Sequence, residues 1–342
     1  MIVSTDVVVD LQHGDTGKGK ITNRLAQSGQ YNVVMRYNGG GNAGHTVYWK
    51  DKKVVTHQIP VGVLYGITSI IGSGCVVDVK DLITEIEYLE ELGVSNVRSL
   101  LKIDSRAHLV TDAHREEDST DVKIGTTRKG IGPAYRDKYN RTGIRAETLH
   151  DHPVIGSMLI DGYQYLHNTP QNEYSILCEG AQGFYLDIDM GDYPYVTSSH
   201  CTVGSACLNG IPPQTIKRVI GIMKAYETYV GNKTTFTDMN DSIFQKIQEL
   251  GHEFGATTGR PRLVRWIVLD DVIKAIKING VTDLFINKTD ILDLVGAYKF
   301  MYKGQLFEFD NRIEFEDWIR TAITLNCGST VVDITFADGV KL

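Results

Sequence analysis

The amino-acid sequence predicts an α/β fold with a central, mostly parallel sheet flanked by helices, and three observations predict it. Short apolar runs recur along the chain, as buried parallel strands do. Segments with helical spacing of apolar residues alternate with these runs. A P-loop-like glycine loop follows the first run and leads into a helix. We therefore expect one domain over residues 1–342, with long active-site insertions between sheet elements.

The predicted elements follow one another along the whole chain. The predicted strands are 7–11, 32–37, 70–72 with 75–77, 175–178, 219–222 and 283–286. The helical patterns between them include 21–26, 82–89 and 272–276. The charged run 114–118 is typical of a solvated face or loop, which indicates little functional role for it.

Composition excludes several classes of protein. The 342 residues are 42% hydrophobic and 23% charged, which is ordinary for a folded soluble chain. The net charge of -7 argues against a general nucleic-acid or anionic-membrane binder. The five cysteines form no CxxC pair, and the sequence shows no signal peptide and no membrane-spanning run. We therefore expect a cytoplasmic protein without nucleic-acid or membrane partners, in the host cytoplasm if a phage encodes it.

The first glycine loop, residues 14–20, matches the pattern Gly-x-x-x-x-Gly-Lys. Backbone N–H groups at the start of a helix bind phosphate there. The next residue is Ile21, whereas an ordinary P-loop has a Ser or Thr that binds Mg²⁺. Either the loop binds no nucleotide, or another group such as Asp15 holds the metal. The alternative is a plain strand-to-helix turn with Lys18 and Lys20 exposed to solvent.

A second glycine loop, residues 39–46, follows the second predicted strand. Loops from neighbouring parallel strands meet at the carboxyl edge of the sheet, where α/β proteins bind ligands. His45 is then a candidate acid or electrophilic group beside a phosphate. A histidine satisfied by hydrogen bonds within the loop is the alternative.

Eight ordered segments make the sequence resemble the adenylosuccinate synthetase family. They are 13–20 (HGDTGKGK), 42–46 (NAGHT), 125–135 (GTTRKGIGPAY), 179–183 (EGAQG), 187–189 (DID), 193–199 (YPYVTSS), 255–260 (GATTGR) and 288–290 (KTD). The resemblance spans nearly the whole chain. It implies a ligase that joins L-aspartate to C6 of a 6-oxopurine nucleotide, normally IMP, driven by GTP and Mg²⁺.

The resemblance also implies site residues. Asp15 would remove the purine N1 proton and bind Mg²⁺ with the carbonyl of Gly44, while His45 and Lys18 would stabilise the moving phosphoryl group. The glycine-loop residues at the triphosphate would be Gly14, Thr16, Gly17, Gly19 and Lys20. The monophosphate nucleotide would be held by Asn42, Thr127, Gln182, Thr197 and Val230, with Arg141 of the neighbouring subunit in a homodimer. Aspartate would bind to Thr257, Thr258, Arg260 and Arg262, and the triphosphate base to Lys288 and Asp290.

The chemistry of a purine explains why such residues are needed. The 6-oxo group is a poor leaving group, but loss of the N1 proton places negative charge on O6, which then attacks the γ-phosphorus. The 6-phosphoryl group is a good leaving group, and the aspartate amine displaces it. The site therefore needs a base near N1, together with a cation and a donor on the γ-phosphate. Two guanidinium groups suit a dicarboxylate.

The sequence departs from the family pattern near the loops. The family has Trp, Glu and Asn where this chain has His13, Thr16 and Gly41. The chain is also short, as are archaeal members of the family and phage members. The phage members include enzymes that convert dGMP to N6-succinyl-2-amino-dAMP, a precursor of 2-aminoadenine DNA. Smaller residues at positions 16 and 41 are in the direction expected if a 2-amino group must fit. We therefore expect dGMP as the preferred substrate, with IMP as the alternative.

The identity of the energy donor and the functional class also have alternatives. The carboxylate of Asp290 favours GTP, because it can accept hydrogen bonds from guanine N1–H and its 2-amino group. The segment 334–339 departs from the family's guanine-contact motif, so ATP or dATP is the alternative energy donor.

Outside the family, the competing hypotheses are a P-loop-like GTPase or regulator and a non-catalytic binding protein.

Overall fold

The computed structural model describes residues 1–120, 125–168, 172–231, 233, 236, 241–255, 259–331 and 333–337. The strands are β1 Ile2–Asp10, β2 Val33–Arg36, β3 His45–Trp49, β4 Lys52–Thr56, β5 Thr68–Ile71, β6 Val76–Val77, β7 Leu101–Asp104, β8 His108–Leu109, β9 Leu159–Ile160, β10 Tyr174–Glu179, β11 Ile216–Lys224, β12 Glu227–Tyr229, β13 Leu263–Arg265, β14 Ile267–Val268, β15 Asp283–Asn287, β16 Tyr298–Tyr302, β17 Gln305–Phe309 and β18 Asp333–Ala337.

Helices separate most of the strands. They are α1 Lys18–Gln27, α2 Val79–Glu91, α3 Val97–Leu100, α4 Asp112–Ser119, α5 Ile131–Asn140, α6 Gly162–His167, α7 Gly204–Cys207, α8 Ser242–Leu250, α9 Leu269–Asn279, α10 Thr289–Val295 and α11 Arg312–Cys327.

A nine-stranded sheet forms the centre of the fold. Its order is β18-β15-β11-β1-β10-β2-β5-β7-β9, and every neighbouring pair is parallel. β1 lies between β10 and β11, so the chain leaves the first strand at the point where the strand order changes direction. Ligands bind at such points, at the carboxyl ends of the strands.

The sheet has a hydrophobic core on each face. Along β1, Val7 and Val9 belong to one buried cluster and Val8 to the other, as the two-residue period of a strand requires. Helices α9 and α11 pack into the first cluster, and α1 and α2 into the second. The smaller sheets pair β3 with β4, β12 with β13, β6 with β8, and β14 with β16 and β17.

The predicted fold class is confirmed. The predicted strand 75–77 is present as Val76–Val77, which pairs with His108–Leu109 in a separate two-stranded sheet. The charged run 114–118 lies within helix α4, where residues 116 and 117 form a solvated face while His114 and Asp118 are buried. Within the described part of the chain, no helix has the length and apolar character to cross a membrane, and all five cysteines are free thiols.

Candidate active site

Buried polar side chains end five neighbouring strands of the central sheet. Each lies at the carboxyl end of its strand and is at most 4% exposed: Asp10 of β1, Arg36 of β2, Glu179 of β10, Lys224 of β11 and Asn287 of β15. Buried charges are expensive unless they are paired. This edge therefore holds a charged network beneath the loops.

A cavity of about 530 Å³ opens above this edge. The predicted residues that line it are Gly14, Asp15, Lys18, Asn42, Gly44, His45, Thr127, Gln182, Thr197, Val230 and Arg260. Both glycine loops thus face the same space, as their positions after neighbouring strands predicted.

Asp10 organises the first glycine loop. Its Oδ1 accepts hydrogen bonds from the backbone N–H groups of Gln12 (2.9 Å) and Gly14 (3.3 Å). Its Oδ2 accepts from the Thr16 hydroxyl and from Lys18 Nζ, at 2.9 Å for the lysine. The Lys18 ammonium also donates to the carbonyl of Gln182 at 2.5 Å. Lys18 is therefore held beside the cavity, with its charge compensated by Asp10.

The loop turns into helix α1 at a glycine that has no room for a side chain. Gly17 has φ +99°, and a Cβ there would lie 2.8 Å from Asn287 Nδ2. Asn287 donates from Nδ2 to the carbonyl of Thr16 at 2.8 Å, which places the end of β15 beside the loop. Gly19 in the first turn lies so close to His45 that a Cβ would come within 2.9 Å of the histidine Cβ. The start of the helix, where backbone N–H groups can bind phosphate, is thus packed against His45.

His45 belongs to a buried triad with Glu179 and Arg36. Its Nδ1 lies 2.7 Å from Glu179 Oε1, and Arg36 donates to the same carboxylate oxygen. Burial lowers the pKa of His45 to about 4, and the Arg36 charge adds to this effect. Burial opposes ionisation of Glu179, but Arg36 and His45 outweigh it and lower its pKa to about 2. The carboxylate is therefore ionised and fixes the proton of a neutral His45 on Nδ1.

Asp15 lies in the left-handed backbone region, with φ 56°, and its side chain is 39% exposed. Arg262 Nε lies 2.9 Å from Asp15 Oδ2, and Arg262 Nη1 lies 2.5 Å from Glu253 Oε2. Glu253 is buried and also contacts Lys224 Nζ at 3.0 Å. The carboxylate of Asp15 thus combines access to the cavity with a cationic neighbour.

Gln182 is the most informative of the predicted nucleotide contacts. It also has positive φ, and its Oε1 is buried without a hydrogen-bond partner among the described residues. A Cβ on Gly39 would lie 2.7 Å from that oxygen, so the second glycine loop must pass close to Gln182. An unpartnered buried amide oxygen in a cavity wall is expected where a ligand supplies the missing donor.

Of the remaining predicted residues, one lines the cavity and others lie outside its wall. Arg260 lines it and donates to the carbonyl of Gly125 at 3.2 Å. Lys288 and Asp290 lie outside its wall, at the start of α10, and Lys288 donates to the carbonyl of Gly251 at 2.8 Å. Arg141 is exposed at the end of α5 and does not line the cavity. Thr257 and Thr258 lie outside the described residues.

Two of the substitutions that motivated the dGMP expectation are turned away from the cavity. Thr16 is buried and its hydroxyl donates to Asp10. A Cβ added at Gly41 would lie 3.9 Å from the side chain of Gln58 and 4.0 Å from that of Asp81. Neither residue is among those that line the cavity. The smaller side chains at positions 16 and 41 therefore do not enlarge this cavity.

The sequence analysis missed residues that the site uses. Asp10, Arg36, Lys224 and Glu253 received no role, although a charged residue that closes an apolar strand signals three of them. Asp118 also lines the cavity, and its Oδ2 accepts from the backbone N–H of Gly130 at 2.8 Å. That bond holds the turn before α5, and the charged run gave no sign of it.

Comparisons with known proteins agree on one family. A family model described as adenylosuccinate synthetase matches residues 7–157 and 152–306. The adenylosuccinate synthetase of Geobacillus kaustophilus is 38% identical and that of Brevibacillus brevis 40%, in each case with 90% of this chain and 83% of the relative covered.

Solved structures give the same result. The fully ligated adenylosuccinate synthetase of Plasmodium falciparum superposes with a TM-score of 0.86 at 28% identity, covering 97% of this chain and 96% of that one. The succinoaminodeoxyadenylate synthetase of cyanophage S-2L, bound to dGMP and dATP, shares the fold with a TM-score of 0.71 at 23% identity. It covers 94% of this chain and 100% of that one. The chain therefore belongs to the adenylosuccinate synthetase family and is a ligase that forms a carbon–nitrogen bond.

Proposed function

We propose that this ligase joins L-aspartate to C6 of a 6-oxopurine nucleoside monophosphate through a 6-phosphoryl intermediate. The observation that carries the proposal is that Asp15, His45 and the start of helix α1 meet at one cavity. A base, a phosphoryl-stabilising group and a phosphate-binding helix end are the parts that this reaction needs.

Asp15 acts as the base. Its exposed carboxylate can approach N1 of a purine, and the guanidinium of Arg262 lies 2.9 Å from it. Loss of the N1 proton drives electron density to O6, which attacks the γ-phosphorus as the bond to the β-phosphate oxygen breaks. The aspartate amine then attacks C6 and expels phosphate.

His45 stabilises the phosphoryl group in transfer. Its Nδ1–H is directed at Glu179, so Nε2 is the atom available to the substrate. A phosphate dianion near Nε2 favours the imidazolium form, which donates a hydrogen bond to the moving group. Glu179 stabilises that cation in turn, as a carboxylate behind a catalytic histidine does.

The nucleoside monophosphate binds against one wall of the cavity. The residues of this wall are Asn42, Thr127, Gln182, Thr197 and Val230. Gln182 supports this assignment, because its unpartnered Oε1 would gain a donor from the ligand. Arg260 and Arg262 bind the two carboxylates of aspartate, and Arg262 moves from Asp15 as the substrate arrives.

Mg²⁺ fits the oxygen donors at the first loop. Asp15 offers a carboxylate and Gly44 a carbonyl, and both line the cavity. The ion would neutralise charge on the phosphates. Lys288 and Asp290 follow Asn287, which is bonded to the glycine loop, and this position supports the proposal that they bind the triphosphate base. The Asp290 carboxylate favours GTP over ATP or dATP, because it can accept hydrogen bonds from guanine N1–H and the 2-amino group.

We propose IMP as the purine substrate, because relatives about 40% identical over most of the chain are adenylosuccinate synthetases. dGMP is the second candidate. The exposed Asp15 carboxylate can accept parallel hydrogen bonds from N1–H and the 2-amino group of guanine. Steady-state assays with aspartate should compare IMP, GMP and dGMP, each with GTP, ATP and dATP. A preference for dGMP would reverse the choice, and no product from any purine would overturn the ligase reaction proposed for this chain.

A homodimer is proposed from the exposed position of Arg141. Its guanidinium would reach the monophosphate in the neighbouring subunit. Mixing two inactive variants, Arg141→Leu and Asp15→Asn, should restore up to about a quarter of the activity, because half of a random dimer population is mixed and each mixed dimer has one intact site. Mixtures without activity, or a monomer by sedimentation, would contradict this assignment.

A further inference from the structure

His13 connects the first glycine loop to two carboxylates from other parts of the chain. Its side chain is fully buried, with Nδ1 2.6 Å from Glu227 Oε1 and Nε2 2.9 Å from Asp192 Oδ2. Both ring nitrogens therefore face carboxylate oxygens, which only the doubly protonated imidazolium can satisfy. The family motif has tryptophan here, and an indole has a single N–H that could satisfy only one of these partners.

The two carboxylates have further cationic partners. Glu227 accepts from Arg265 Nε at 2.6 Å, and Asp192 accepts from Lys233 Nζ at 2.5 Å. The His13 ring stacks on Tyr185, with 5.4 Å between ring centroids, and meets Tyr229 edge-on at 5.5 Å. The imidazolium is thus enclosed by ring faces and by charges of both signs, which fixes its position.

Each carboxylate belongs to a segment that lines the monophosphate side of the cavity. Asp192 begins the stretch in which Tyr195, Val196, Thr197 and Ser198 face the cavity. Glu227 begins β12, which continues into the cavity residues Thr228, Tyr229 and Val230. His13 itself lines the cavity next to Gly14 and Asp15. One side chain therefore joins the loop that carries the base to both segments that carry the proposed nucleotide contacts.

We infer that His13 is a positioning residue for the nucleoside monophosphate, acting through its paired bonds to Asp192 and Glu227. The inference rests on the proposed function, in which Thr197 and Val230 contact that nucleotide. Loss of the imidazolium leaves Asp192 and Glu227 without their shared partner. The two segments then lose their fixed distance from Asp15, which weakens monophosphate binding more than it affects aspartate or the triphosphate.

The test is a double-mutant cycle on His13→Phe and Asp192→Asn. We expect each single variant to raise the KM for the monophosphate about tenfold, with kcat and the KM values for aspartate and triphosphate changed less than twofold. The double variant should be no worse than the poorer single variant, because residues that act through one contact are not additive. His150→Gln, at an exposed histidine that does not line the cavity, is the matched control and should leave every constant unchanged.

Hydrogen exchange supplies a readout that does not depend on activity. In the unliganded protein, His13→Phe should accelerate exchange in residues 187–199 and 225–231 relative to wild type and His150→Gln. Three results would overturn the inference. They are additive effects in the double variant, equal losses in all kinetic constants, and unchanged exchange in both segments. A wild-type protein that forms no product with any purine refutes the proposed function instead, while the exchange experiment still tests the link made by His13.

Discussion

Nδ1 of His45 lies 2.7 Å from Oε1 of Glu179, and Arg36 donates to the same oxygen. The pair links the second glycine loop to the central sheet, because His45 begins β3, outside that sheet, while Glu179 ends β10 within it. The carboxylate fixes the tautomer of the imidazole and would stabilise its cation during phosphoryl transfer.

Glu179→Gln should reduce kcat about 100-fold with little change in any KM, since general acid catalysis contributes at least that much. Glutamine preserves the shape but removes the charge that stabilises the imidazolium. Glu85→Gln is the matched control, because Glu85 is another buried glutamate, bonded to the backbone N–H groups of residues 57–59. The control should lose stability but keep kcat, and a similar fall in both variants would contradict the role of Glu179.

Asp15→Asn should lower kcat by about three orders of magnitude, because an amide cannot accept the N1 proton. Asparagine tolerates positive φ, so the backbone at φ 56° is not strained further. Asp51→Asn changes an aspartate with φ 64° in the β3–β4 turn and should be fully active. Single-turnover assays should show that the Asp15 variant forms no phosphorylated purine. Normal turnover by this variant would remove Asp15 from the mechanism.

The sequence predicted the sheet and both glycine loops because those features are local. A short segment is enough to predict each of them: the apolar run Val7–Val9 predicts a buried strand, and the spacing of Gly14, Gly17 and Gly19 predicts the loop. The partners of the functional groups are not local. Asp10 meets Lys18 nearby, but Asp15 meets Arg262 and His45 meets Glu179 across more than 100 residues. No pattern in one sequence specifies which buried charges pair at the sheet edge.

Stability should fall on mild acidification because of His45. Burial and the Arg36 charge lower the pKa of the folded imidazole to about 4, against an ordinary value of 6.5. Between those pH values the unfolded chain binds a proton that the folded chain does not, so stability is lost as the pH falls from 6.5 toward 4. The loss attributable to His45 should reach about 3 kcal/mol at most.

Urea unfolding at pH 7.5, 6 and 5 measures this dependence. His45→Gln should show a shallower fall in unfolding free energy than wild type over this range, because glutamine does not titrate. The exposed variant His150→Gln should follow the wild-type curve. Parallel curves for wild type and His45→Gln would show that the histidine is not kept neutral by folding.

Gly39→Ala should raise the KM for the monophosphate about tenfold. Gly39 has φ +79°, and its added methyl would lie 2.7 Å from Gln182 Oε1 and 2.9 Å from Ala181 Cβ. The side chain of Gln182 must then move from the cavity wall, where we propose that it binds the nucleotide. Isothermal titration with the monophosphate and steady-state kinetics measure the loss directly.

Gly29→Ala separates this displacement from backbone strain. Gly29 has a similar φ of +74°, but no atom lies within 4 Å of its would-be Cβ. Backbone strain should cost each variant about 1 kcal/mol of stability, because alanine disfavours positive φ, and the contact with Ala181 adds to the loss only in Gly39→Ala. Only Gly39→Ala should also lose affinity for the monophosphate, since only there does the methyl group contact a substrate-binding side chain. Equal affinity in the two variants would mean that Gln182 does not bind the nucleotide.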